Sequence, residues 1–184
     1  MDEQQKPQTN YILRSGATLS PAQHVEFNRL LTHLLQAAPA TFIMLADAAG
    51  QVILAKGEHN DANLVMLGSL VAGDLAASQE IARLTGEYQD YQIILREGQR
   101  SNSFIAEAGD YLALLVQVNR DIPLGWARML ILKTSRQLTD IMAQSIPTAE
   151  DELVGRQEIV MELDETDDSL ADLFGDALDD MWGE

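Results

Sequence analysis

The segment 62–84 reads ANLVMLGSLVAGDLAASQEIARL, and its two helical sides differ in a way that predicts the fold around it. Successive residues of an α-helix lie about 100° apart, so each residue can be assigned to a side from its position. One side is predicted to pack on a sheet, and it comprises Leu64, Leu67, Val71, Leu75 and Ala82. The opposite side comprises Met66, Ser69, Gly73, Ala76, Ala77 and Leu84, with Glu80 as its only charged residue.

This opposite side lacks the charged residues that a solvated helix surface usually carries. Small side chains let another backbone approach closely, and Gly73 in mid-helix costs about 1 kcal/mol relative to alanine, which close packing could offset. We therefore predict that this side binds a partner. The alternative is a helix buried on all sides within one domain, but a body of this size has few elements left to cover it.

Acidic residues are concentrated near the end of the chain. Of the 29 acidic and 12 basic residues among 184, residues 147–184 hold 14 acidic and one basic, a net charge of −13, whereas 1–146 carry −4. Because like charges at this density oppose compaction, we expect an N-terminal extension (1–19), one folded body (20–146) and a separate acidic tail (147–184). The total charge of −17 disfavours nucleic acids and anionic lipid surfaces as partners.

The composition also bears on the compartment. The sequence has no cysteine, which excludes disulfides and thiol chemistry. The first 16 residues lack the charged-then-apolar pattern of a signal peptide, and we find no run of the roughly 20 apolar residues that a membrane span requires. We therefore expect a cytoplasmic protein without a membrane insertion.

The order of the predicted elements indicates an α+β fold. Ser20 and Gln23 form a capping-box pattern, so a helix is expected to begin at Pro21 and to end before Pro39. Asp61 is expected to cap the helix 62–84, and Gly86 to end it. Strands are expected at 41–46, 51–56, 91–97, 101–108 and 111–118, with a last helix at 124–145. The resulting order of helix, two strands, helix, three strands and helix predicts an antiparallel sheet flanked by helices.

Four segments within 20–141 resemble the roadblock and dynein light chain superfamily, and in particular its bacterial gliding-motility polarity regulators of the mutual gliding-motility protein B type. Residues 70–78 (LVAGDLAAS) resemble the small-residue second helix of that family, and 84–87 (LTGE) resemble its glycine-terminated end. Residues 96–101 (REGQRS) resemble the turn between its third and fourth strands, and 124–128 (LGWAR) resemble the entry to its last helix.

The resemblance implies a roadblock domain, related to longin and profilin folds, that forms a homodimer by joining sheet edges. It also implies that the paired second helices form a platform for a Ras-like small GTPase, here Ser69, Gly73, Ala76 and Ala77 with Met66 at the margin. Such family members act by positioning the GTPase's own residues, so no catalytic residue is transferred, and Arg83 and Arg96 remain candidates for surface ion pairs only. The alternative is a GTPase-independent dimeric adaptor; the direction of regulation stays open.

Enzymatic and cofactor chemistry have little support in the sequence. His24 and His33 lie nine residues apart on one helix and project to opposite sides, and no metal-ligand spacing accompanies them or His59. Neither the phosphate-binding GxxxxGK[ST] pattern nor the dinucleotide-binding GxGxxG pattern occurs, and no serine lies on a nucleophile elbow. We expect no catalytic, cofactor or metal site.

Apolar residues recur in the acidic tail at helical spacing. They are Leu170, Leu173, Phe174, Ala177, Leu178, Met181 and Trp182, with aspartates at most other positions of 167–180. We predict a conditional amphipathic helix over 169–182 that folds when a basic-rimmed groove of a second protein, or of the same GTPase in another state, buries its apolar side. The alternative is a disordered solubilising tail. Emission from Trp182, in a variant carrying Trp126→Phe, tests the helix: no blue shift with any partner contradicts it.

Overall fold

The computed structural model describes residues 10–59, 63–86 and 93–144. These residues form three helices and seven strands. The helices are α1 (Pro21–Ala37), α2 (Leu64–Thr85) and α3 (Leu124–Ala143). The strands are β1 (Tyr11–Ile12), β2 (Thr18–Leu19), β3 (Ala40–Asp47), β4 (Val52–Gly57), β5 (Ile93–Glu97), β6 (Ser101–Ala108) and β7 (Leu112–Asn119). The predicted element order is confirmed, and boundaries differ by one or two residues where both ends are described. The acidic tail and its predicted helix lie outside the described residues.

Five strands form one antiparallel sheet in the order β4-β3-β7-β6-β5, and helices cover both of its faces. Helices α1 and α3 pack on one face over the larger apolar core, and α2 packs on the other face over a smaller core. Alternate residues of β3 show the division, since Ile43 and Leu45 belong to the larger core and Phe42 and Met44 to the smaller. Both faces of the central strands are buried, which explains why β3 and β7 are apolar almost throughout.

The ends of α1 and α2 are set by local hydrogen bonds. The capping box at α1 is confirmed, because the Gln23 backbone N–H donates to Ser20 Oγ at 3.2 Å and the Ser20 N–H donates to Gln23 Oε1 at 2.8 Å. The prediction for the start of α2 is wrong: Asn63 caps it, its Oδ1 accepting from the Met66 N–H at 3.1 Å. Asp61 lies outside the described residues. Gly86 ends α2 in the left-handed conformation, as predicted.

Residues before Ser20 contribute to the folded body, which the sequence did not indicate. Strands β1 and β2 form a short antiparallel hairpin, and Leu13 and Leu19 are buried in the larger core. The hairpin is held against the β3–β4 turn, because the Arg14 N–H donates to Gln51 Oε1 at 2.9 Å and the Ser15 N–H donates to Asp47 Oδ2 at 2.8 Å. The segment from Leu13 is therefore part of the domain's structure.

A pair of glycines lets the β3–β4 turn contact α2 directly. A Cβ atom on Gly68 would lie 2.5 Å from the Gly50 carbonyl oxygen and 2.9 Å from Val52 Cγ2. A Cβ on Gly50, whose φ is +82°, would lie 2.7 Å from the Ser69 Cα. The close approach that small helix residues suggested is thus made by Gly68 inside the domain, whereas Gly73 has no described atom within 4 Å of such a Cβ.

These two glycines should respond oppositely to alanine. Gly68→Ala is expected to lower the free energy of unfolding by about 2 kcal/mol, because the turn must shift to relieve the overlap. Gly73→Ala, the matched control in the same helix, is expected to raise it by up to about 1 kcal/mol through helix propensity alone. Urea unfolding followed by circular dichroism measures both. Equal effects at the two positions would contradict the described contact.

Candidate functional site

The side of α2 that faces away from the sheet is exposed and almost free of charge. Val71 and Leu75 are buried in the smaller core, so the predicted core side is confirmed. The predicted partner surface (Met66, Ser69, Gly73, Ala76, Ala77) is exposed throughout, and Met66 is 60% exposed. The alternative of a helix buried on all sides is therefore wrong for the single chain.

The structure divides this exposed surface into two flanks. The flank towards β5 is identified by an ion pair, since Arg96 Nη2 of β5 lies 2.8 Å from Asp74 Oδ1 of α2. The opposite flank lies towards the turns: Ser69 is beside Gly50, and Ala76 lines an open recess with the buried Glu107 of β6. Helical positions at about 100° intervals assign the remaining residues to one flank or the other.

Large apolar side chains occupy the β5 flank. Leu70, Ile81 and Leu84 are 63%, 63% and 71% exposed, and Ala77 lies at the border between this flank and the outer surface of the helix. Leu84 lies on the side of α2 that the sequence predicts to bind a partner, whereas Leu70 and Ile81 belong to neither of the two opposite sides and were not predicted. Leu70 and Ile81 occupy a third group of helical positions, which lies roughly 100° from the core direction.

An apolar cleft lies under the N-terminal half of this flank, between α2 and the sheet. Its roof includes Leu67, Leu70 and Val71, and its volume is ≈ 260 Å³. Four residues in register across the sheet line its floor, namely Phe42, Gln117, Ser103 and Arg96. The floor therefore changes from apolar at β3 to cationic at β5, next to the exposed Leu70.

The turn flank is more polar and carries its own ion pair. Arg83 Nη2 lies 2.6 Å from Glu80 Oε1, and Gln79 Nε2 donates to Glu107 Oε1 at 2.8 Å. The hydrogen bond from Arg83 lowers the pKa of Glu80, and the same bond raises the pKa of Arg83. Both Arg83 and Arg96 are thus engaged in surface ion pairs, as predicted. Each of the two guanidinium groups therefore has an acidic partner on the protein surface.

The described residues form no group of three or more His, Cys, Asp or Glu side chains that could hold a metal ion. His59 stacks against Phe42 with ring centroids 6.1 Å apart, and His24 and His33 lie on α1, on the other side of the sheet from α2. The histidines are therefore not brought together by the fold.

Helix α2 is long and apolar enough to cross a membrane by length and composition, with 17% of its most apolar window buried. The helix is not a run of about 20 apolar residues, because Asp74, Glu80 and Arg83 interrupt it. Within the described residues, α2 packs on the sheet through Val71 and Leu75 and is tied to β5 by Asp74. Its hydropathy reflects a core side combined with an outer surface that carries few charges.

Solved structures of known proteins resemble this chain over most of the described residues. MglB from Myxococcus xanthus is 30% identical with a TM-score of 0.59, and the match covers 63% of this chain and 94% of that one. The gliding protein MglB from Thermus thermophilus is 28% identical with a TM-score of 0.62, covering 69% and 96%. A Roadblock/LC7 domain from Streptomyces avermitilis shares the fold at 18% identity, a TM-score of 0.56 and coverage of 63% and 97%. The sequence matches no family model and no curated protein.

Proposed function

This chain belongs to the MglB-like branch of the roadblock family, and from that premise we propose that it regulates a Ras-like small GTPase as a homodimer. The observation that carries the proposal is the exposed, nearly uncharged surface of α2. A contiguous apolar surface of this kind marks a site of protein contact in most soluble proteins. Consistent with the gliding proteins that it resembles, we place this regulation in cell polarity or motility.

The β5 flank is the better candidate for contact with a second copy. Leu70, Ile81 and Leu84 lie on one line along α2, and β5 is an edge strand of the described sheet with Leu95 40% exposed. In a two-fold dimer each surface contacts its own copy, so an apolar flank beside an unpaired strand edge can complement itself. Joining the two β5 edges would bring the two α2 helices side by side.

The GTPase would then dock on the outer surface and turn flank of α2. Met66, Ser69, Gly73, Ala76 and Ala77 are small or flexible side chains that allow close approach of the partner's switch segments. Because Arg83 and Arg96 are already paired with Glu80 and Asp74, we propose that the protein acts by holding the GTPase's own residues in place and supplies no arginine to its nucleotide site.

Nucleotide-dependent capture tests the regulatory proposal. Purified protein is immobilised and offered a candidate Ras-like GTPase from the same organism, loaded either with GDP or with a non-hydrolysable GTP analogue. If the GTPase is retained in only one of the two nucleotide states, the result supports a regulator, because the switch segments are ordered in that state alone. Equal retention in both states favours the alternative, a GTPase-independent dimeric adaptor. The rate of GTP hydrolysis with and without the protein then gives the direction of regulation.

The dimer should persist without the acidic tail, because the proposed contact lies wholly within the body. A chain shortened at Ile146 is expected to give a dimer mass by light scattering at micromolar concentration. Ile81→Asp, which places a charge on the β5 flank, should shift that mass towards the monomer. Val25→Asp is the matched control, since Val25 is equally exposed at 63% but lies on α1. A folded, monomeric shortened chain would refute the joined-sheet arrangement.

The acidic tail stays a separate prediction, since 147–184 lie outside the described residues. Its proposed motif comprises Leu170, Leu173, Phe174, Leu178, Met181 and Trp182.

A further inference from the structure

A second exposed apolar surface lies on α3, on the face of the sheet opposite α2. Trp126 and Met129 are 46% and 61% exposed, although α3 buries Ala127, Ile131 and Leu138 in the larger core. Helical geometry places Trp126, Met129 and Lys133 within about 60° of one another on the solvent side. We call these three residues the α3 stripe.

The stripe belongs to a helix whose charge is opposite to that of the chain. Residues 124–143 hold three basic residues (Arg128, Lys133, Arg136) and one acidic residue (Asp140), in a chain whose net charge is −17. Helix α2, in contrast, holds Asp74, Glu80 and Arg83. Charges beyond a Debye length of about 8 Å are largely screened at physiological salt, so a partner that contacts α3 responds to the local positive charge.

From this combination we propose that the α3 stripe binds an acidic amphipathic helix of a protein partner. Trp126 and Met129 supply the kinds of side chain that anchor helical ligands, and Lys133, one to two turns further along, meets the partner's carboxylates. The helix rises about 10 Å from Trp126 to Lys133, which matches about two turns of a ligand helix. Gly125 leaves open space beside Trp126, since no described atom lies within 4 Å of its built Cβ.

An anionic membrane is the other surface that aromatic and basic residues can recognise, and the observations favour a protein. Interfacial helices bury a long apolar side in lipid, whereas the α3 stripe offers two large apolar residues. The surface is separate from α2, so this site is independent of the proposed GTPase docking.

Fluorescence of Trp126 tests the site directly. The sequence has two tryptophans, so Trp182→Phe leaves Trp126 as the only emitter. The probe is a synthetic peptide of about 18 residues, five helical turns, with leucine and phenylalanine on one side and aspartate on the others. Titration into the full chain, and into a chain shortened at Ile146 so that the tail does not repel the probe, should shift the emission to the blue and saturate.

Substitutions in the stripe should weaken this binding selectively. Met129→Ala and Lys133→Glu are each expected to weaken it about tenfold, and Lys133→Glu should reduce its salt dependence. Two substitutions on α1 are the matched controls and should leave the affinity unchanged. Val25→Ala matches Met129→Ala in exposure, and Arg29→Glu matches Lys133→Glu in the change of charge. Circular dichroism confirms that each variant remains folded.

Three outcomes would overturn the proposal. The first is the absence of a blue shift in both the full and the shortened chain. The second is equal weakening by Lys133→Glu and Arg29→Glu, which would indicate only a diffuse charge effect. The third is a larger shift with vesicles containing phosphatidylglycerol than with the peptide, since it would assign the stripe to membranes. In the shortened chain, a twin peptide with lysine in place of aspartate should not shift the Trp126 emission.

Discussion

Replacing Gly73 with arginine is expected to abolish capture of the GTPase while the domain stays folded. Gly73 lies at the centre of the exposed surface of α2, and no described atom beyond its own stretch of helix lies within 4 Å of a Cβ built there, so the described residues leave space for the new side chain. A long, charged side chain would hold a partner's backbone away from a surface made of small residues. We expect the affinity to fall at least about thirtyfold, which corresponds to about 2 kcal/mol.

The measurement combines the nucleotide-dependent capture with circular dichroism. Gly73→Ala is the control for the loss of glycine itself and should keep most of the binding. Val25→Arg is the control for the added charge, because it places the same side chain on the α1 side of the sheet. If Gly73→Arg binds the GTPase as well as the parent does, the GTPase does not dock on this surface. An unfolded variant would show instead that α2 is packed more tightly than described.

Replacing Asp47 with alanine is expected to cause the largest loss of stability among the substitutions considered. Its carboxylate is fully buried and accepts three backbone hydrogen bonds. Oδ1 accepts from Ala49 at 3.0 Å and from Gln51 at 2.7 Å, and Oδ2 accepts from Ser15 at 2.8 Å. Hydrogen bonds to a charged group contribute about 1.5–3 kcal/mol each, and alanine would leave these N–H groups without their acceptor.

We therefore expect Asp47→Ala to lower the free energy of unfolding by about 4 kcal/mol or more, a large part of the roughly 5–15 kcal/mol typical of a domain. Asp47→Asn should cost less, because an amide oxygen can still accept from one side of the turn. Urea unfolding measures both, and Asp121→Ala, at an exposed aspartate, should change little. A loss below about 1 kcal/mol for Asp47→Ala would mean that the turn and the β1–β2 hairpin hold together without the carboxylate.

The same carboxylate connects stability to the proposed site. Asp47 shapes the β3–β4 turn, and Gly50 of that turn contacts Gly68 and Ser69 of α2. Disruption of the turn should therefore displace the N-terminal half of α2, including Met66. Weakened GTPase capture by Asp47→Asn at a temperature where it remains folded would support this connection.

Local patterns in the sequence determined most of the elements and the core side of α2. The capping box at Ser20, the glycine at the end of α2 and the apolar run of β3 act through neighbouring residues, so their effects could be inferred without a tertiary structure. The exposure of the surface around Gly73 was predictable for the same reason, since helical periodicity alone separates it from the buried Val71 and Leu75.

Contacts between distant segments were decided only by the tertiary structure. The burial of Asp47 depends on Ser15, 32 residues away, and nothing in a turn sequence of Asp-Ala-Ala-Gly reveals that a hairpin will close over it. The division of α2 into two flanks depends on Arg96, which reaches Asp74 only when β5 lies at the sheet edge. Gly68 and Gly73 are both glycines within α2, and the sequence does not distinguish them. Gly50 lies against Gly68, so that position has no room for a side chain, whereas Gly73 is exposed. Periodicity reports which side of a helix is buried, but the identity of the neighbour on each side is set by how the strands are ordered.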